Sequence, residues 1–138
     1  MSYDSSLRIL VVDDEADLRE LFKDTLEFLG YEVITCSNAE HAIRFAYELH
    51  PSLVITDVVM PGMSGFELCR FLKNDRMTKD IYVVIVSALS REVDYEMSLE
   101  AGANDYITKP VKLQSIKHVL KNTFRPYMKV EKWAIRPS

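Results

Sequence analysis

The chain alternates two hydrophobic rhythms. Unbroken apolar runs of three to six residues occur at Arg8–Val12 (RILVV), at 53–55 within SLVITD, and at 81–86 (IYVVIV). Between them lie longer stretches in which apolar residues return every three or four positions. Leu18, Leu21, Phe22, Thr25, Leu26 and Leu29 form such a set ahead of Gly30, and Ala42, Ile43, Ala46 and Leu49 form another ahead of Pro51. The first rhythm predicts buried strands and the second amphipathic helices with glycine or proline stops.

Filled in along the chain, the same grammar gives a short strand at 31–36 and a capping-box signature at Ser37 and Glu40 opening the second helix. A third helix carries Phe66, Leu68, Cys69, Phe71 and Leu72 and ends near Asn74. A weakly amphipathic fourth helix spans 91–99 before Gly102, a brief strand covers 105–108, and a fifth helix carries Leu113, Ile116, Leu120 and Phe124. Strands and helices that alternate in this way imply a parallel sheet, because the crossover between parallel strands needs a helix. Fully apolar strands agree, since a central strand covered on both faces loses its alternation. The expected fold class is α/β with a doubly wound parallel sheet. The expected organisation is an N-terminal extension at 1–7, a domain at 8–125 and a tail or linker start at 126–138, in which Trp133 packs on the domain or into an interface.

Composition narrows the partners. The 138 residues carry a formal net charge of −4 and 48% hydrophobic content, enough for one core but without the basic patch of a nucleic-acid surface. Cys36 and Cys69 stand far apart with no CxxC spacing, which argues against a zinc site or disulfide framework. No run approaches the length of a membrane span, so a cytoplasmic location without membrane insertion is expected.

The strands end in polar residues of a particular kind. Asp13 and Asp14 follow the first, Asp57 ends the third, Ser87 ends the fourth and Lys109 follows the fifth. A parallel sheet presents every strand's carboxyl end along one edge, where ligands bind at the reversal of strand order. Any one of these acids alone is more simply a solvated loop residue, but together they form a site. Two like charges about 4 Å apart repel by about 4 kcal/mol at an intermediate dielectric, and Lys109 supplies only one positive centre. A divalent cation bound by carboxylate oxygens, Mg²⁺ or Mn²⁺, is the natural remedy. A nucleotide hydrolase is disfavoured because the chain lacks GxxxxGK[ST] and has only four glycines. The three histidines, His41, His50 and His118, show no ligand spacing and are expected at the surface, and Glu15 is expected to be a solvated helix N-terminal acid.

Four motifs in order, VVDDE at 11–15, DVVMPGMSG at 57–65, VSA at 86–88 and DYITKP at 105–110, resemble the receiver domain of two-component response regulators. The pattern is close to that of the chemotaxis-type single-domain members, and the resemblance covers about residues 8–125. It implies a flavodoxin-like sheet of strand order 2-1-3-4-5 and Mg²⁺-dependent phosphorylation of an aspartate by a histidine kinase or histidine phosphotransfer protein. By position, Asp57 would be the phosphoryl acceptor, and Asp13, Asp14, Asp57 and the Val59 carbonyl would hold the metal. Lys109 and Ser87 would meet the phosphoryl oxygens, and Ser87 and Tyr106 would move together as a switch. The fourth-helix, fifth-strand and fifth-helix face would then signal to an effector, an output domain or a second copy. The resemblance also implies a cis peptide at Lys109–Pro110.

Such a domain is not an enzyme beyond its self-directed phosphotransfer and autodephosphorylation. Two departures stand out: Ser87 where threonine is commoner, and aliphatic Val59 and Leu89 beside the path of attacking water, which predicts a long-lived phosphoryl group. The rival expectation is a phosphorylation-independent, receiver-like interaction module. No output segment is legible after residue 126, so the signal is expected to leave through a partner, self-association or a further domain.

Overall fold

Five parallel strands lie in the order β2-β1-β3-β4-β5 in a computed structural model that describes residues 7–124. The strands are β1 (Arg8–Val12), β2 (Glu32–Cys36), β3 (Leu53–Asp57), β4 (Tyr82–Ser87) and β5 (Asp105–Thr108). They alternate with α1 (Ala16–Phe28), α2 (Ala39–Leu49), α3 (Gly65–Asn74), α4 (Glu92–Glu100) and α5 (Leu113–Thr123). The expected sheet order and all ten elements are present. The extension up to residue 6 and the tail at 126–138, with Trp133, lie outside the described residues.

Each central strand sends alternate side chains into one of two cores. Leu10, Val12, Val54, Val83 and Ile85 pack with Ala42, Ala46, Phe66, Leu68 and Leu72 of α2 and α3. Ile9, Val11, Leu53, Ile55, Val84 and Val86 pack on the other face with Phe22, Leu26, Ile116, Val119 and Leu120 of α1 and α5. This double coverage is why the sequence shows continuous apolar runs there. Each such side chain taken from water contributes about 1.5–3 kcal/mol. The edge strand β5 is only partly covered, and its last residue, Thr108, is exposed.

Local signals mostly act where the sequence places them, with one correction. The N-cap of α2 is Asn38, not Ser37: Asn38 Oδ1 accepts the His41 N–H at 2.9 Å. With Ala39 as the first helical residue, the third is His41, so Glu40 is out of register for a box with Ser37. The reciprocal capping box belongs to α3, where Ser64 Oγ accepts the Glu67 N–H and Glu67 Oε1 accepts the Ser64 N–H, both at 3.2 Å. The peptide Lys109–Pro110 is cis, as the resemblance implies. Both cysteines are free and buried, and burial pushes each thiol up to about 11. The three histidines are exposed. Among the described residues no helix is long and apolar enough to cross a membrane.

Candidate functional site

Four strand ends converge on one acidic pocket. The carboxylates of Asp13, Asp14 and Asp57 bring one oxygen each to within 4.8 Å of one another, with Asp13 and Asp57 buried and Asp14 exposed. Lys109, carried just past β5, places its Nζ 3.5 Å from Asp13 Oδ2 and 3.5 Å from Asp57 Oδ1. The Lys109 peptide N–H donates to Ser87 O at 2.8 Å, tying the end of β5 to that of β4. Residues from 13 to 109 therefore meet because the parallel sheet aligns its carboxyl ends.

Asp57 is held by few partners. Its Oδ1 accepts the Val58 N–H at 2.8 Å, and its carbonyl accepts the Thr56 hydroxyl at 2.9 Å. Burial raises the Asp57 carboxyl above the usual carboxylate range; Lys109 opposes this and the charge on Asp13 adds to it. Gly65 secures the loop that follows. Its N–H donates to Val58 O at 2.9 Å, and a Cβ at this position would lie 2.0 Å from the Asp57 carbonyl oxygen. The backbone of α3 approaches the strand end so closely that only glycine fits.

Ser87 is buried, and its Oγ accepts the Leu89 N–H at 3.0 Å. The Tyr106 hydroxyl donates to the carbonyl of the same Leu89, so both backbone polar groups of this β4–α4 loop residue are held. The Tyr106 ring stands edge-on to Tyr95, with centroids 6.2 Å apart and planes at 83°. Burial raises its phenol above the ordinary value. Val59 is 66% exposed, whereas Leu89 is half-buried against the α2–α3 core.

Three residues complete the site without a clear sequence signal. Glu15 reaches the rim of the pocket, 4.0 Å from Lys109 Nζ, while remaining largely solvated as expected. Arg19 Nη1 donates to the Asp13 carbonyl at 2.7 Å. Gly65 reads in sequence as turn punctuation, and its contact with Asp57 appears only in three dimensions. The donor set suits a hard divalent cation: clustered carboxylate oxygens, no thiol or imidazole, and one ammonium against more than one negative charge.

Comparison with known proteins bears on this arrangement. Residues 9–121 match the family model described as response regulator receiver domain. The phosphate regulon transcriptional regulatory protein PhoB of Pseudomonas aeruginosa is 40% identical over 117 residues, which are 85% of this chain and 51% of that protein. A probable transcriptional regulator, ycf27, of Porphyra purpurea is 37% identical over 118 residues, 86% of this chain and 47% of its own length. The chain thus spans about half the length of these curated relatives. Among solved structures, the signal receiver domain of a signal transduction histidine kinase from Syntrophus aciditrophicus superposes with a TM-score of 0.80. It is 38% identical, and the match covers 88% of this chain and 92% of that one. A putative response regulator from Chloroflexus aurantiacus gives 0.82 at 31% identity, over 87% and 98% of the two chains. With its fold, its acidic pocket and a family model matched over most of its length, this chain belongs to the response regulator receiver domain family.

Proposed function

We propose that Asp57 accepts a phosphoryl group from a phosphohistidine on a kinase or phosphotransfer protein. The observation that carries this reading is the Lys109 ammonium 3.5 Å from both Asp13 and Asp57, at the mouth of a pocket where Asp57 is buried. A carboxylate oxygen of Asp57 attacks phosphorus, the new O–P bond forms as the P–N bond to imidazole breaks, and the departing electron pair stays on the imidazole, which takes a proton from solvent. Lys109 pairs with a phosphoryl oxygen, and the Ser87 hydroxyl donates to another. Asp13, Asp14, Asp57 and the Val59 carbonyl would hold Mg²⁺ or Mn²⁺. When bound, the ion neutralises charge on the transferring oxygens.

Turning toward a phosphoryl oxygen draws Ser87 Oγ away from the Leu89 N–H, so the Leu89 backbone loses one of its two holds and Tyr106 follows. The reading ends at the α4–β5–α5 face, which passes the signal to an effector, an output domain or a second copy, in the cytoplasm and without contacting nucleic acid itself. A chemotaxis-type, single-domain organisation belongs to the same proposal; a native chain of about 15.9 kDa on immunoblotting supports it and a longer one overturns it. A phosphorylation-independent module is disfavoured because it has no use for the acids, Lys109 and Ser87 held together.

Incubation with acetyl phosphate and Mg²⁺ tests the central step. Intact mass is expected to show one added phosphoryl group on the wild type and none on Asp57→Asn; a phosphorylated Asp57→Asn protein rules Asp57 out as the acceptor. Phosphate release is expected to speed several-fold in Val59→Asn, where an amide can orient water beside the acyl phosphate. An unchanged rate removes Val59 from that role.

A further inference from the structure

The acids of the pocket are unequally restrained. Asp13 is pinned at three points: its N–H donates to Cys36 O at 3.1 Å, its Oδ1 accepts the Glu15 N–H at 2.9 Å, and its carbonyl accepts Arg19 Nη1 at 2.7 Å. Asp14 is exposed, and among the described residues its side chain makes no hydrogen bond.

The third pin on Asp13 comes from outside the two regular hydrogen-bonding systems that meet there. The sheet register of β1 ends at Val12, and the ladder of α1 begins with the Arg19 N–H on the Glu15 carbonyl at 3.1 Å. The carbonyl of Asp13 falls between them, where an unmet backbone acceptor near the interior is costly. Arg19, one turn into α1 and half-buried, supplies the missing donor from a charged group.

We propose that Arg19 is a positioning residue for the divalent-cation site, acting through the Asp13 carbonyl to keep the Asp13 carboxylate turned toward Asp57. This rests on the metal-binding part of the proposed function. Groups that orient a ligand from behind commonly change metal affinity about 10- to 100-fold when removed. Electrostatics alone would act in the opposite direction, since a guanidinium close to a cation site repels the ion and its removal would tighten binding. The sign of the effect therefore separates positioning from field.

Mn²⁺ binding to the full metal-free chain, followed by electron paramagnetic resonance of the free ion, tests this in five proteins: wild type, Arg19→Ala, Arg19→Lys, Asp13→Asn and the Arg19→Ala, Asp13→Asn double variant. Arg19→Ala is expected to bind Mn²⁺ about tenfold more weakly. Arg19→Lys is expected to recover part of the loss, because one N–H reaches the carbonyl. It also serves if the alanine variant melts too early to titrate. In the Asp13→Asn background the Arg19→Ala substitution is expected to have no further effect, since it has lost the carboxylate through which it acts. Equal or tighter binding by Arg19→Ala overturns the proposal, as does an undiminished loss in the Asp13→Asn background. A wild-type chain that binds no Mn²⁺ overturns the metal site itself and the role of Arg19 with it.

Discussion

Two buried aspartates, Asp57 at the end of β3 and Asp94 in the first turn of α4, experience opposite surroundings. Asp94 is 1% exposed and fully matched: Arg91 Nε donates to Oδ2 at 2.9 Å, Arg91 Nη2 to Oδ1 at 3.1 Å, and the Arg91 N–H to Oδ2 at 3.2 Å. The Arg91 hydrogen bonds hold its carboxyl below the usual carboxylate range. Asp57 is 7% exposed, receives one peptide N–H, shares one ammonium with Asp13, and is raised instead. A saturated acid is a structural tie. An under-matched acid among other acids is what the proposed phosphoryl acceptance calls for.

The contrast extends to stability. Because folded Asp57 binds its proton more tightly than the unfolded chain does, ionising it as pH rises above about 4 costs the native state. Asp94 has the reverse sign: its contribution is present above about pH 4 and is lost as pH falls through its lower folded value.

The largest break in the pocket side of this comparison is expected from Gly65→Ala, whose Cβ would meet the Asp57 carbonyl oxygen at 2.0 Å and force the backbone of α3 away. Chemical denaturation should register a loss of about 3 kcal/mol, and a loss below about 1 kcal/mol would mean that α3 yields without strain. On the other side, Arg91→Met strands the Asp94 carboxylate in the protein. Amide hydrogen exchange of α4 at pH 7 should accelerate while that of β1 and β3 stays slow, and wild-type α4 should show a similar loosening below about pH 4. Unchanged exchange in both cases would make the ion pair ornamental.

Asp57→Asn sharpens the comparison by removing the uncomfortable charge. In metal-free protein at pH 7 the melting temperature should rise by about 3 °C, and the gain should fade as pH falls below about 4; a fall in melting temperature would contradict the raised carboxyl. The smallest effect is expected at Leu99, 55% exposed on α4, where alanine should change stability by less than about 0.5 kcal/mol. A larger loss would show that the outer face of α4 is already packed against something.

Legibility along the chain followed hydrophobic contrast. The strands β1, β3 and β4 stand out because they are buried on both faces. The fourth helix stood out least because its pattern is inverted: Asp94 and Ser98 point inward at helical spacing, while Val93, Tyr95, Met97 and Leu99 face solvent. No reading that places apolar residues inside could orient it. The Ser37–Glu40 cap failed for a related reason, since Ser, Asn and spacing alone cannot say which residue leaves the extended region.

The sequence by itself determined the order of elements, the parallel sheet and the arrival of Asp13, Asp14, Asp57, Ser87 and Lys109 at one edge, because periodicity and strand direction follow from local residue choice. Only the tertiary structure decided that Lys109 stands midway between Asp13 and Asp57, that Arg19 completes the Asp13 carbonyl and that Gly65 admits no side chain. Those facts depend on distances between residues far apart in the chain, and packing, not pattern, sets distance.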